Sequence, residues 1–437
     1  MGLFGLGKEK KKQAQEKELA STKLKELEGK AAKGNTFAME QLCETYRTGR
    51  INISSPADRE NLVECVEPDL IKAYEWGKRA RNSVENRKDL IFDPLHRVIR
   101  DMDYICREKY NKGDYKTVKQ YAELLVNEDE KVHALYLLSQ LYKKGCEEAD
   151  VPADSDKYTS LLREAAENGS EDAMDELIDN SLSGFGGSAV SRTYALQIMA
   201  YKREHLIDRY GYIDYDEELI QEKVDEWIDY CRDNLSSSIY SNLKFENTIT
   251  NRYQKIHYQM NQESSEEYKK RAEEAERSGD MAAMINYLRY RESSEEYRKR
   301  AEEAEHSGDI TTASDLYLCA SCFGHDNKSE LRLSEICLDK GSSMYNEADA
   351  NSWLIRAAAH GNLTAAMRLY KQEIAKLQTN EDDAMIFIWG KMLLNADPSQ
   401  LPPEADEAFM DSVRDIVSRI ESFFEENDLL VFLEGLY

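Results

Sequence analysis

Residues 34–49, GNTFAMEQLCETYRTG, and residues 169–184, GSEDAMDELIDNSLSG, share the spacing that decides the fold. After the leading glycine of the first stretch, Ala38, Leu42 and Tyr46 follow at intervals of four residues. Residues four apart lie on one face of an α-helix, so these side chains form a single apolar stripe. The small alanine allows a neighbouring helix to approach closely, and the closing glycine suits a left-handed helix cap. Each stretch therefore predicts a short helix that packs against a partner helix.

The partner helix has its own pattern, D-x-x-K-A-x-x-W-x-x-x-A. Its residues in the clearest copy are Asp69, Lys72, Ala73, Trp76 and Ala80. The second half of the pattern recurs at Trp353–Gly361, and again at Leu161–Gly169 with leucine in the tryptophan position. The stripe of the first helix also has a third copy, at Ala134–Gly145, which lacks the leading glycine. The chain is thus predicted to alternate first and second helices, joined by glycine turns.

A near-verbatim duplication supports the same interpretation. Glu263–Asp280 reads ESSEEYKKRAEEAERSGD, and Glu292–Asp309 reads ESSEEYRKRAEEAEHSGD. The residues Glu, Lys, Arg and Ala that dominate both copies favour helix, and each copy ends in a Gly-Asp turn. The same helix–Gly-Asp–helix arrangement is predicted around Gly113. Duplication of one helical unit explains the two copies.

These stretches resemble Sel-one-like repeats, which are related to the tetratricopeptide repeat. The family pattern is A-A-x-x-G-x-x-x-A-x-x-x-L-G-x-x-Y-x-x-G followed by D-x-x-K-A-x-x-W, and it is matched most closely between Gly34 and Trp76. The duplicated segment looks more like a plain tetratricopeptide unit. The resemblance implies an all-α fold, an α-solenoid of stacked antiparallel helix pairs that forms a superhelix. It also implies a non-catalytic scaffold or adaptor, which binds a partner peptide or helix on the concave face.

The pattern suggests five segments along the chain. They are a basic N-terminal tail leading into a helix (1–27), an N-terminal repeat array (28–184) with a surface insertion at about 50–68, a divergent helical segment (185–260), a C-terminal repeat array that contains the duplication (261–396) and C-terminal capping helices (397–437). A cap is expected because the last pair of a solenoid has an apolar face to cover. The alternative for the apolar end of the chain is a tail that docks on another protein.

Composition restricts the partners and the compartment. The net charge of −26 argues against nucleic acid, whose phosphates favour basic faces. The eight cysteines are irregularly spaced, which predicts thiols in a reducing, cytoplasmic setting. The sequence contains no run of about 20 apolar residues, which is the length needed to span a bilayer, so no membrane span is predicted. The N-terminal MGLFGLGKEKKK is interpreted as a solvated tail. The alternative is a membrane-surface regulator that makes a weak contact through Leu3, Phe4, Leu6 and the lysines that follow.

The main candidate for an enzyme is a possible zinc site. Cys319, Cys322, His325 and Cys337 could together supply four ligands. Against this, the first two cysteines fall on a helix face that also carries Leu316, and buried cysteine is common in such packing. We therefore predict no metal site and no cofactor, and retain a metal-dependent or other enzyme centred on Cys319 and Cys322 as the alternative.

No other motif predicts catalytic residues. The sequence contains no H-E-x-x-H, G-x-S-x-G, P-loop or dinucleotide-binding motif. The glycine-rich Gly184–Ser188 follows the end of a repeat and is interpreted as a connection. The paired glutamates at 273/274 and 302/303 are interpreted as solvated helix faces that support their helices through nearby lysine and arginine. His360 lies in a turn where the family tolerates many residues, so no role is expected for it.

The sequence names no binding residue, but it does suggest an aromatic surface. The chain has 26 tyrosines, and those of the repeat stripe, Tyr46 and Tyr142, are expected to fill the core. Five more in the divergent segment have no place in the repeat pattern, and tyrosine is common in interfaces. These are Tyr194, Tyr201, Tyr210, Tyr212 and Tyr215.

Overall fold

Helices account for nearly all of the regular structure. A computed structural model describes residues 3–53, 61–84, 90, 93–128, 131–184, 191–213, 216–240, 245–254, 294–376 and 382–437. The helices are α1 (Leu3–Ala31), α2 (Thr36–Thr48), α3 (Leu70–Asn82), α4 (Leu95–Asn111), α5 (Tyr115–Leu125), α6 (Val132–Lys144), α7 (Ser155–Glu167), α8 (Glu171–Ser183), α9 (Arg192–Tyr212), α10 (Glu217–Tyr240), α11 (residues 245–254), α12 (Ser294–His306), α13 (Ile310–Gly324), α14 (Asn327–Leu338), α15 (Glu347–Ala359), α16 (Leu363–Lys376), α17 (Asp383–Leu394) and α18 (Glu407–Glu426). The predicted all-helical class is confirmed.

The helices pack in sequential pairs, as the repeat pattern predicts. The pairs are α2 with α3, α4 with α5, α6 with α7, α12 with α13, α14 with α15 and α16 with α17. The earlier member of each pair is called its first helix, and the later member its second helix. By its internal contacts the chain forms two compact units, unit 1 (Met1–Leu177) and unit 2 (Ile178–Tyr437). The five-segment division suggested by the sequence stays a prediction.

Side-chain caps define where the second helices begin. Asp69 and Asp154 precede α3 and α7, and their carboxylates accept the backbone N–H of Lys72 and Lys157 at 3.1 and 2.9 Å. Asn346 caps α15 in the same way. Such caps satisfy N–H groups that have no partner inside the helix. The Asp of the D-x-x-K pattern is therefore a capping residue.

The predicted stripe forms the core of unit 1. Ala38, Leu42 and Tyr46 are all buried, as is Tyr142 at the equivalent position of α6. Gly49 ends α2 in a left-handed conformation with φ of 75°, as predicted, and its N–H donates to the Thr45 carbonyl. A side chain at Gly49 would also approach the Val66 carbonyl to 2.8 Å, so both conformation and space require glycine.

Part of the predicted surface insertion is ordered as a β-hairpin. Strands β1 (Arg50–Asn52) and β2 (Leu62–Glu64) pair antiparallel, with Ile51 opposite Val63. The Ile51 side chain is buried, so the hairpin is anchored to the helices of unit 1. Residues 54–60 of the insertion lie outside the described residues.

The end of unit 2 has an aromatic core. Trp389 and Phe387 of α17 are fully buried, and so is Phe424 of α18. The rings of Phe387 and Phe424 meet edge to face at a centroid distance of 5.3 Å. Helix α18 thus covers the apolar side of α17, which is the contact expected of a capping helix.

Candidate functional site

An open groove lies on unit 2 beside the turns of two successive helix pairs. Its volume is about 520 Å³, and it is formed by the end of α12, the start of α13, the second half of α14 and the connection that follows α14. The residues that line it are Glu305, Ile310, Arg332, Glu335, Ile336, Asp339, Gly341, Ser342 and Ser343. We call it the charged groove. Its volume is that of a site for a few side chains or a small ligand.

A line of ion pairs forms one wall of the charged groove. Arg332 binds Glu305 through both Nε and Nη2, and its Nη1 lies 2.7 Å from Glu335 Oε2. On the other side of Glu335, Arg368 Nη2 lies 2.8 Å from Oε1. Because these residues come from α12, α14 and α16, the ion pairs join the first helices of three successive pairs.

The ion pairs keep the two glutamates of the groove charged. The hydrogen bond from Arg332 lowers the pKa of Glu305, and Tyr317 donates a further bond to the same carboxylate at 2.9 Å. For Glu335, burial alone would raise the pKa, but the bonds from Arg332 and Arg368 lower it overall. A hydrogen bond to the ionised form favours that form, so both groups are anionic at neutral pH.

Apolar side chains lie at the groove and in the connection beside it. Ile310 lines the groove with 36% of its surface exposed, and Ile336 supplies a second, buried aliphatic side chain. Leu338 and Tyr345, at either end of the connection after α14, are 49% and 39% exposed. Exposed apolar side chains that gather around a cavity are typical of contact surfaces, whereas scattered ones are not.

Unit 1 has comparable polar contacts between α2 and α4 and between α6 and α8, the helix that carries the stripe Ala173–Leu177. Arg47 of α2 donates to Asp101 of α4 at 2.7 Å, and Gln140 of α6 donates to Glu176 of α8 at 2.5 Å. Polar contacts between neighbouring helices therefore occur in both units. The charged groove differs in combining them with a cavity and with exposed aliphatic groups.

The structure does not assemble the four proposed zinc ligands. Cys319 and Cys337 lie in the apolar core of unit 2 beside Trp353. His325 ends α13 in a left-handed conformation, and its ring packs on that of His360 at 4.5 Å. Across the described residues, no three His, Cys, Asp or Glu side chains come together as a possible metal site. The buried position of Cys319 agrees with its interpretation from the sequence as a packing residue of the helix face.

A buried ionic cluster, which the sequence motifs did not indicate, lies beside Cys322. The fully buried Glu330 accepts from Arg356 Nε and from Ser321 Oγ, each at 2.8 Å, and its other oxygen lies 2.8 Å from His360 Nδ1. Arg356 also contacts both oxygens of Glu246 in α11 at 2.8 Å. His360, for which the sequence suggests no catalytic role, thus contributes its ring to a buried structural network.

This cluster does not activate the neighbouring thiol. Burial raises the pKa of Cys322 to about 11, and the Arg356 charge only partly opposes that effect. A nucleophilic cysteine needs a lowered pKa, because the thiolate is the reactive form. The pKa of Cys322 is therefore shifted away from the direction that favours a reactive thiolate, although a histidine and a glutamate lie nearby.

The other predicted features have mixed outcomes. Tyr201 and Tyr212 are 45% and 93% exposed, whereas Tyr194 and Tyr210 are half-buried, so the divergent segment shows only part of the expected aromatic surface.

Glu302 pairs with Arg298 at 3.0 Å, the helix-supporting contact that the sequence predicted. Tyr215, the glutamates at 273/274 and residues 185–188 lie outside the described residues, as do the side chains of residues 1–10. Among the described helices, none is both long and apolar enough to cross a bilayer.

Comparisons with known proteins find similarity at the level of structure. No known sequence family matches the chain, and no curated protein matches it. A crystal structure of a protective antigen from uropathogenic Escherichia coli strains, described as displaying an SLR fold, is 15% identical. That comparison covers 94% of this chain and 95% of the antigen, with a TM-score of 0.25. A Sel1 repeat protein from Oxalobacter formigenes is 14% identical over 83% of this chain and 89% of its own, with a TM-score of 0.21.

The fold assignment itself comes from this chain. Helices α2 and α6 carry the buried Ala–Leu–Tyr stripe, helices α3, α7 and α15 begin at a capping Asp or Asn, and successive helices pack in pairs. The stripe and the pairing of helices are features that the sequence motifs predicted. The chain accordingly has the fold of a Sel-one-like helical repeat protein.

Proposed function

We propose that the chain is a non-catalytic scaffold that binds a segment of a partner protein along its first helices, with the charged groove as a contact site. The observation that carries this proposal is the groove itself, in which exposed Ile310 lies next to a rigid line of ion pairs. Because Ile310 is 36% exposed, its burial by a partner contributes about a third of the value for a whole aliphatic side chain, or about 0.5–1 kcal/mol, whereas the paired charges provide orientation. The concave position of this surface, which the family resemblance implies, is part of the proposal.

Further features support a protein partner in a reducing compartment. All eight cysteines lie in the described part of the chain, and none forms a disulfide. Burial raises the pKa of Cys43 and Cys106 to about 12, so these thiols stay protonated and stable. The net charge of −26 favours partners with basic surfaces over nucleic acid. We therefore propose a cytoplasmic location.

The proposal can be tested with peptides, because no partner needs to be known in advance. A random dodecapeptide phage library is selected on the purified full-length chain, and the enriched peptides are titrated against Ile310→Glu. We expect at least a tenfold loss of affinity, because the substitution places a charge in the apolar part of the groove. The matched control is Tyr212→Glu, which changes another exposed side chain that does not line the groove.

The result that would overturn the proposal is equally specific. If selection yields no peptide whose binding depends on Ile310, the groove is not a protein-binding site. Far-UV circular dichroism and urea titration of both variants show whether each is folded, so a loss of binding is not confused with a loss of structure.

A further inference from the structure

The charged groove has an acidic side chain that its own residues leave without a cation. Glu305 and Glu335 are bound by Arg332, and Glu335 also by Arg368. Asp339 is different, because it forms no ion pair with any described residue. Its Oδ1 accepts the Gly341 N–H at 2.8 Å, which fixes the direction of the carboxylate at the edge of the groove.

The charge balance of the groove favours a cationic ligand. Three carboxylates line it, against the guanidinium of Arg332 in the groove and that of Arg368, which binds Glu335, so the carboxylates still outnumber the cations by one. All three types of nitrogen in the Arg332 guanidinium already bind glutamate, so Arg332 has little capacity left for an incoming anion. An acidic ligand would therefore meet repulsion from the carboxylates, whereas a basic group would find Asp339 available.

The apolar lining limits which cations fit. Ile310 and Ile336 line the same groove as Asp339, so a ligand that fills the groove must also present aliphatic surface. A small inorganic cation or a fully hydrated polyamine would leave these side chains uncovered. A peptide with an aliphatic residue next to a basic one satisfies both requirements, and the volume of about 520 Å³ accommodates two or three side chains.

We propose that the charged groove selects partner segments that place an arginine or lysine on Asp339 and a neighbouring aliphatic side chain against Ile310 and Ile336. This inference rests on the proposed function and adds the chemistry of the recognised segment. The basic group sits at the solvent-exposed edge, so it contributes mainly to specificity and to the rate of association. The aliphatic contact contributes most of the affinity.

The test uses the same peptide library on the full-length chain, together with two substitutions of one residue. Asp339→Asn removes the charge but keeps an oxygen that can accept the Gly341 N–H, whereas Asp339→Lys reverses the charge. We expect the enriched peptides to carry Arg or Lys beside Ile, Leu or Val. Their affinity should fall about threefold to fivefold with asparagine and at least tenfold with lysine.

The matched control for these variants is Glu404→Gln, which neutralises an exposed carboxylate that does not line the groove. It should leave peptide affinity unchanged. Raising NaCl from about 50 to about 500 mM should weaken binding to the native chain more than binding to Asp339→Asn, because screening acts on the charge that the variant has lost.

The outcomes separate this inference from the function on which it rests. Peptides that depend on Ile310 but show no preference for basic residues, or bind Asp339→Lys as tightly as the native chain, would overturn the inference and leave the proposed function intact. Selection of no peptide that depends on Ile310 would overturn both.

Discussion

Gly390 should not tolerate even a methyl group, although it lies in the middle of a helix. A Cβ at this position of α17 would lie 2.3 Å from Val417 Cγ2 and 3.3 Å from Tyr370 Cε2. Ordinary contacts of this kind are 3.4–4 Å, so the overlap with Val417 exceeds one ångström. Val417 is itself buried in α18, so it cannot turn away into solvent. Relief of the overlap therefore requires α18 to move.

Two opposing effects determine how much Gly390→Ala changes the free energy of unfolding. Alanine favours the helix over glycine by about 1 kcal/mol, whereas overpacking a core typically costs about 1–3 kcal/mol. With so short a contact we expect overpacking to dominate, so that the free energy of unfolding falls by about 1–2 kcal/mol. Urea unfolding followed by tryptophan fluorescence is a suitable assay, because Trp389 is adjacent and fully buried.

A matched glycine in the same unit provides the control. A Cβ added to Gly211 in α9 would have no atom within 4 Å, so Gly211→Ala should raise the free energy of unfolding by about 0.5–1 kcal/mol. Val417→Ala should also lower the free energy of unfolding less in the Gly390→Ala background than in the native chain. The reason is that the methyl group added by Gly390→Ala fills the space that the valine side chain leaves. The reasoning is refuted if Gly390→Ala stabilises as Gly211→Ala does, or if the two α17–α18 substitutions are additive.

Three other predictions concern charges and thiols in unit 2. Glu330→Gln should lower the free energy of unfolding by about 1–3 kcal/mol in urea titration, because the Arg356 guanidinium loses its buried anionic partner, and an unchanged midpoint would contradict this. Burial raises the pKa of Cys322 and Cys337 to about 11, so a thiol reagent at neutral pH should label them far more slowly in the native protein than in urea; equal rates would show that they are accessible. The pKa values of Glu305 and Glu335 lie below the usual 4.5, so their ion pairs stabilise the fold above that pH, and this stability is lost as the pH falls through the lowered values. The urea midpoint of unit 2 should therefore fall below pH 4.5. It should fall less in a Glu305→Gln variant, which lacks one of the two titrating groups.

The helix pairs could be predicted because their cause is local. Ala38, Leu42 and Tyr46 lie on one helix face whatever surrounds them, and the same interval defines the other copies. The first helix of the Trp353 pair was not predicted, because Ser329 and Cys337 occupy the positions of the alanine and the tyrosine. Both are buried as the repeat requires, but their types no longer match the pattern.

The charged groove could not be predicted for a different reason. Glu305 belongs to the duplicated segment, where its neighbours suggest a solvated face, yet its partner Arg332 is 27 residues away. Likewise, Glu330 can be buried only because Arg356 reaches it from the next helix. Contacts of this kind depend on how helices pack, and periodicity within one helix carries no information about them.

One backbone hydrogen bond has a consequence for how the chain tolerates change in length. The capping residue of a second helix donates its N–H to the carbonyl at the tyrosine position of the first helix in three pairs: Asp69 to Tyr46 at 2.8 Å, Asp154 to Tyr142 at 3.0 Å and Asn346 to Cys337 at 2.9 Å. The enclosed loops differ, since the capping residue follows by 23, 12 and nine positions. Loop-closure entropy makes the longest cost only about 0.8 kcal/mol more than the shortest. The turn within a pair is therefore the place where such a protein can acquire new sequence, and with it new surface, while its helices stay as they are.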